Sequence, residues 1–288
     1  MIPLRDQNPT VHPPHLTLAL IALNVLVFFW QSAGSPIEEQ VKTFQYAVVP
    51  YRVLGKEGEP VMAFKQVRAL PVSRGAPDMG GGLTFLVLDE MTPPPPGVRI
   101  LARQQAPAWL TLFTSMFMHG GWMHLIGNML FLWIFGNNLE DALGKVRFLF
   151  FYLACGLVAA AAHVFSAPES LIPTIGASGA IGGVLGGYLV LYPKARITTL
   201  VPLGYIWFTT ELPALIFLPI WFAMQFLGIL GDRLGGGGVA YWAHIGGFLS
   251  GVLLVKFLET DEHKNRPRSR ILPSAPRSRL GRRPPSPW

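Results

Sequence analysis

The sequence predicts an all-α membrane protein, a bundle of six transmembrane helices. Three observations carry that expectation. The 288 residues are 51% hydrophobic and 14% charged, whereas soluble domains carry about 25% charged residues. The charges are clustered, leaving 7–37, 104–139, 148–168, 170–193, 212–231 and 234–255 without Asp, Glu, Lys or Arg. Several of these stretches reach the roughly 20 apolar residues that a membrane helix requires.

The first span is read as Leu16 to Trp30. Its leader carries only Arg5 against Asp6, and a small-x-small cleavage site is poor after Trp30, so it reads as a retained helix and not a signal peptide. The second runs from Gly121 to Asn138 behind an apolar lead-in from Trp109. The third is Val146 to Phe165, the fourth Ile175 to Tyr192, the fifth Leu212 to Leu230 and the sixth Val239 to Leu258. The expected organisation is a cytoplasmic N-terminus (1–15), the first helix (16–30), a long extracytoplasmic loop (31–107), a core of five membrane helices (108–258) and a basic, disordered cytoplasmic tail (259–288). The loop is rich in turn formers, including Gly80-Gly81-Gly82 and Pro93 to Pro96, with a short β-compatible run at Leu83 to Leu88.

Charge sets the expected orientation. Lys145 and Arg147 lie between spans two and three, and Lys194 and Arg196 between four and five. The loop between three and four has no basic residue, and that between five and six only Arg233. Basic short loops face the cytoplasm, and both termini join them. From Lys256 onward nine basic residues meet three acids, so the tail supplies +6 of the +7 net charge. A basic tail after an apolar helix marks the cytoplasmic side and suits anionic lipid headgroups, and argues against nucleic acid as partner. The single Cys155 sits in an apolar run as a small core residue.

Polar groups inside apolar spans are costly and each needs a reason. Ser178 lies in Gly176-Ala177-Ser178-Gly179, which suits close helix packing as well as a nucleophile. Gly182, Gly183, Gly186 and Gly187 below it favour packing. His244 lies in Ala243-His244-Ile245-Gly246-Gly247, and reads equally as a helix–helix hydrogen bonder or a base. Gly247 and Gly251 share its helical side and can press against the glycines of span four. Such a contact would bring His244 to Ser178, and a serine needs an adjacent base to become a nucleophile. The third element is His119-Gly120-Gly121-Trp122-Met123-His124-Leu125-Ile126-Gly127-Asn128. His124 and Asn128, at i and i+4, share one face. Zinc is the rival reading, but no HExxH is present and Asn is a poor zinc ligand. Both make better sense as donors to an oxyanion.

With these pieces in this order, about Leu110 to Leu258 resembles the rhomboid family of intramembrane serine proteases. The resemblance implies Ser178 as nucleophile and His244 as its base. His124 and Asn128 would form the oxyanion hole with the Ser178 N–H, and His119, Gly176 and Gly179 would support the site. It implies a six-helix rhomboid-like bundle in a cell membrane, of bacterial inner-membrane type, cutting transmembrane protein substrates without metal or cofactor. Family members often carry Trp-Arg eight or nine residues before the first histidine, and here Leu110 and Thr111 stand there. The rival classes are a catalytically silent rhomboid-like protein that binds membrane clients, and a small-solute transporter. A transporter would favour an internal repeat, and none is found. Pro213 and Pro219 in span five, with the Gly235 to Gly238 loop, mark that span as the element that moves to admit substrate.

Overall fold

The computed structural model describes residues 1–55, 60–66, 83–89, 98–103, 106–233 and 240–265. In chain order the elements are β1 (Ile2–Asp6), α1 (His15–Ser32), α2 (Pro36–Tyr46), α3 (Pro50–Val53), β2 (Pro60–Gln66), β3 (Leu83–Asp89) and β4 (Val98–Arg103). Next come α4 (Ala108–Thr114), α5 (Trp122–Phe131), α6 (Asn137–Leu143), α7 (Lys145–Ser166) and α8 (Ser178–Leu191). The chain continues through β5 (Arg196–Leu203), β6 (Ile206–Pro213), α9 (Ala214–Arg233), α10 (Tyr241–Leu258) and α11 (Asp261–Lys264). A π-helical stretch, Leu132–Gly136, joins α5 to α6 without a break. Among the described residues, α1, α7, α9 and α10 contain windows long and apolar enough to cross a membrane, and α8 is a shorter apolar helix.

Several expectations need correction. The fold is mostly helical and not all-α, because two three-stranded sheets accompany the helices, and 31–107 contains both helices and strands. Ser35 and Glu38 form a reciprocal capping box that starts α2, with Pro36 in its first turn. The backbones of β3, β2 and β4 form an antiparallel sheet in that order. The Leu83 to Leu88 run is therefore a paired strand, stable because β2 supplies its hydrogen bonds. Gly80–Gly82 and Pro93–Pro96 lie outside the described residues, as does the Gly235–Gly238 loop. Span four begins at Ser178, because Gly176 precedes it in a non-helical conformation. Span five begins at Ala214, because Leu212 and Pro213 complete a hairpin with Ile197 and Arg196. Pro213 is thus a strand residue, and Pro219 alone lies within α9. The second helical run continues past Asn138 to Leu143 and carries Glu140 and Asp141, 4% and 8% exposed.

Those two carboxylates hold the N-terminal segment. The Leu16 and Thr17 N–H groups donate to Glu140 at 2.9 and 2.7 Å, and Thr17 Oγ1 adds a third bond at 2.8 Å. The first turn of a helix leaves its N–H groups unpaired. A carboxylate on the neighbouring helix fills that need for α1, which has no capping side chain of its own. Asp141 accepts from the Val11 and His12 N–H groups at 3.2 and 3.0 Å. The N-terminus is also a strand. β1 pairs with β5, and β5 with β6. At the other end of the chain, Thr260 N–H and Oγ1 both donate to the Ala142 carbonyl. His263 bridges Tyr192 and Glu259 at 2.8 and 2.7 Å. The residues after Asp261 therefore open with an ordered helical turn, and 266–288 lie outside the described residues.

These contacts gather the N-terminus, the α6–α7 turn, the β5–β6 hairpin and the end of α10 at one end of the bundle. Asp6 is the polar centre of that end. Its carboxylate accepts from Tyr188 Oη at 2.7 Å and Asn138 Nδ2 at 2.8 Å. Burial outweighs these bonds and raises its pKa from 3.8 to about 6. Between those values the folded chain retains a proton that the unfolded chain has released, so this group's contribution to stability falls as pH rises. The loss is complete above about pH 6. Asn138 and Tyr188 can still donate to an amide oxygen. The melting temperature of Asp6→Asn, followed in detergent from pH 4 to pH 8, is expected to gain on the parent through this window and hold its lead above it. Parallel profiles would remove Asp6 as the source.

Candidate active site

The loop before α8 is built around Gly176. Its φ is +129°, a conformation that residues with a Cβ rarely adopt. Its N–H donates to the Ser115 carbonyl at 2.8 Å. A Cβ there would sit 2.8 Å from Cε1 and 2.9 Å from Nε2 of His124, and 3.6 Å from Ser178 Oγ. The same position therefore sets the backbone turn and leaves room for the His124 ring beside the serine. Ser178 follows as the first residue of α8, so its N–H is one of the unpaired donors of a helix N-terminus.

His244 stands in the first turn of α10. Its Nε2 lies 2.8 Å from Ser178 Oγ. Two packed glycine faces produce this contact. A Cβ at Gly247 would lie 1.9 Å from the Gly179 carbonyl oxygen, and one at Gly251 1.9 Å from that of Gly183. At Gly186 it would lie 2.1 Å from the Phe248 carbonyl. α8 and α10 thus touch backbone to backbone, as small residues permit between membrane helices. Cys155 fills the core beside Gly183 and is fully buried.

The remaining sequence-selected residues surround the pair. His124 Nδ1 accepts the Gly120 N–H at 3.3 Å, which places the ring proton on Nε2. His119 is buried, and its ring meets that of His124 edge to face at 5.1 Å. Its backbone is clamped on both sides by Gln31, whose amide donates to the His119 carbonyl at 2.8 Å and accepts its N–H at 3.1 Å. Asn128 lies one turn beyond His124 and is 7% exposed; its buried Nδ2 has no hydrogen-bond partner among the described residues. An unmade bond of this kind costs about 1–3 kcal/mol.

Two groups near the Ser178–His244 pair lie beyond the sequence-based expectations. Gln225 Oε1 lies 2.8 Å from His244 Nδ1, and the Trp221 ring is tilted against the imidazole at 6.0 Å. Both stand on α9. A lone glutamine in the charge-free stretch 212–231 is the signal that could have found it. The 31–107 insert also reaches the site. Val48 and Thr174 exchange backbone hydrogen bonds at 3.0 and 2.8 Å. Both line a recess beside Ser178 with His163, Ser115 and Ala243. Its water-accessible space is about 40 Å³, room for a small number of waters. Among the described residues, no cluster of three or more His, Cys, Asp or Glu is placed to hold a metal ion.

The backbone contact between α8 and α10 generates a test. Gly251→Ala puts its methyl into Gly183 two turns away from His244, and should cost about 1–3 kcal/mol of stability by overpacking. It should also reduce labelling by a serine-directed fluorophosphonate. Gly231→Ala, where nothing among the described residues lies within 4 Å of the added carbon, is the matched control. Equal melting temperatures and labelling for the two variants would refute the contact.

The rhomboid domain matches residues 106–259, more than half of the chain. Rhomboid protein 1, mitochondrial, of Saccharomyces cerevisiae is 32% identical over 178 residues, which cover 59% of this chain and 47% of that protein. Rhomboid protease GluP of Bacillus subtilis is 34% identical over 143 residues, 50% of this chain and 25% of that protein. Rhomboid-like protein 11, chloroplastic, of Arabidopsis thaliana is 30% identical over 158 residues, 53% of each. The chain thus spans about half or less of the length of these relatives. With its apolar helices and the domain match across α4 to α10, it is a multi-pass membrane protein of the rhomboid family.

Proposed function

We propose that this protein is a serine endopeptidase that hydrolyses peptide bonds in or near transmembrane segments of other proteins. The carrying observation is the 2.8 Å contact between Ser178 Oγ and His244 Nε2, within the range a general base requires. In this mechanism His244 takes the Ser178 proton as Oγ attacks the scissile carbonyl. The protonated imidazole then delivers that proton to the leaving amine, giving an acyl-enzyme. Water, activated by the same ring, releases the acid and restores the serine. The cycle consumes only the peptide bond and one water, and calls for no metal or cofactor.

The negative charge on the attacked oxygen needs donors. His124 Nε2–H, the Ser178 N–H at the start of α8 and the unpaired Nδ2 of Asn128 are the candidates. A fixed donor with no ground-state partner costs stability and gains its bond when the oxyanion forms. His119, Gly176 and Gly179 act indirectly, through the His124 ring, the turn before Ser178 and the packing of α10.

In this reading the bundle crosses the membrane six times, with the unbroken run 122–143 and α8 as the second and fourth crossings. The 14 residues of α8 rise only about 21 Å, short of the ~30 Å hydrocarbon core. With its C-terminal end at the charged side, Ser178 then lies below the opposite surface, within reach of a membrane-embedded substrate. Basic loops and tail assign the charged end to the cytoplasm, and the 31–107 insert to the outer side of a cell membrane, as in a bacterial inner membrane. Transmembrane proteins would be its substrates and lipids its surroundings. In a silent client-binding protein the Ser178–His244 contact would serve only as a hydrogen bond between helices.

Two measurements test this reading. Ser178→Ala and His244→Ala should each abolish cleavage of a membrane substrate in liposomes while keeping the parent's melting temperature to within a few degrees. Undiminished cleavage by either purified variant would end the assignment. Asn128→Ala separates oxyanion binding from packing. Loss of one oxyanion donor lowers kcat by roughly 10²–10³, whereas hydrogen bonds between membrane helices average only about 0.6 kcal/mol. The expected result is a large fall in kcat with KM and melting temperature little changed, and a smaller fall for His124→Ala. A folded Asn128→Ala protein with near-normal kcat would return Asn128 to a packing role.

A further inference from the structure

We infer that Gln225 is a positioning residue that sets the tautomer and orientation of His244, making the pair a relay of serine, histidine and glutamine. The inference rests on the proposed protease reading for its kinetic consequence, but the tautomer itself is a property of the structure alone.

A neutral imidazole carries one proton, on Nδ1 or on Nε2. Only the Nδ1–H form leaves a lone pair on Nε2 to receive the Ser178 proton. Nothing in Ser178 selects that form, because a hydroxyl can donate or accept. Gln225 does select it. Its amide has one donating and one accepting end. Nε2 donates to the Trp221 carbonyl at 2.7 Å, one turn back along α9. That carbonyl can only accept, so the amide cannot rotate without losing this bond. Oε1 is therefore the atom presented to His244 Nδ1, at 2.8 Å. An acceptor there requires the proton on Nδ1. The chain of constraint runs from a backbone carbonyl, through the amide, across the ring, to the Ser178 hydroxyl.

The environment gives this bond leverage. Gln225 is 7% exposed, so little water competes for Nδ1. The Trp221 ring lies against one side of the imidazole at 6.0 Å and the Tyr241 ring meets it edge-on at 6.3 Å. These rings limit tilt, and the amide limits rotation about the ring axis. A carboxylate in this place would also hold Nδ1–H, but would add a charge within an apolar span, at a cost that a neutral amide avoids.

The test uses the full chain in detergent, with 15N-labelled histidine assigned by comparison with His244→Ala. In the parent, His244 should show the Nδ1–H tautomer. Gln225→Met keeps the volume and removes the acceptor; it should shift His244 toward the Nε2–H form. It should also lower kcat by roughly 100-fold, the lower end of the range for a positioned acid–base group, with KM little changed. Gln225→Glu restores an acceptor and should recover the Nδ1–H tautomer and most of kcat. An Nε2–H His244 in the parent overturns the inference whatever the variants do. So does an unchanged tautomer in Gln225→Met, or a kcat loss that Gln225→Glu fails to recover while its melting temperature is preserved. A parent that cleaves nothing, yet shows the tautomer shift, sinks the protease reading and leaves the role of Gln225 standing.

Discussion

The direct backbone contact between α8 and α10 is the constraint on which the site depends. Gly247 and Gly251 meet the carbonyls of Gly179 and Gly183, with no room for a single added carbon. Water does not drive membrane helices together, so close approach must come from shape and from polar groups that prefer each other to lipid. Here the glycines provide the shape. They set the spacing of two helices whose first turns carry Ser178 and His244, and the 2.8 Å contact follows. The other helices adjust around that axis. α7 packs Cys155 and Ala159 against the glycines of α8. α9 brings Gln225 to the far side of the imidazole, and α5 leans His124 against Gly176.

The polar groups of the bundle fall into two populations at its two ends. At the charged end, Glu140 and Thr260 complete helix termini, and Asp141 and Asp6 bind the 2–12 segment to the helices. Their work is structural, and Asn8 Nδ2 and Thr198 Oγ1 at the same end are buried without a partner among the described residues. At the other end the site is undersaturated. Asn128 Nδ2 is buried without a partner among the described residues, and Ser178 heads its helix. Saturated polar groups make a membrane protein rigid; unsaturated ones are tolerated where a reacting molecule completes them.

Legibility in the sequence followed the range of each interaction. The apolar helices were readable because hydropathy is local, and among the described residues α1, α7, α9 and α10 are long and apolar enough to cross a membrane. The Ser178–His244 approach was readable although it links positions 66 apart, since glycines on the His244 side had to face something equally small. The capping box at Ser35 and Glu38 is a local pattern, masked by the turn formers around it. Gln225 went unread, although the rule that selected Asn128, a polar side chain in an uncharged span, applies to it equally. The β1–β5 pairing was not readable. Ile2-Pro3-Leu4-Arg5-Asp6 has no strand alternation of its own, and its register is supplied by β5, from which its bonds come.

That pairing also places the first residues of the chain among the last to be satisfied during synthesis. Ile2 pairs with Leu200, so a ribosome adding roughly 5–20 residues per second needs about 10–40 s before the partner strand exists. In that interval α1 can be delivered to the membrane, but its leader has no strand to join. Its capping carboxylate, Glu140, arrives sooner, followed at once by Asp141 for His12. The N-terminus is therefore secured in two stages. The capping of α1 comes with the second helical run, and closure of the sheet waits for the hairpin beyond α8. For the whole of that delay the Ile2–Asp6 backbone has no neighbouring strand to pair with.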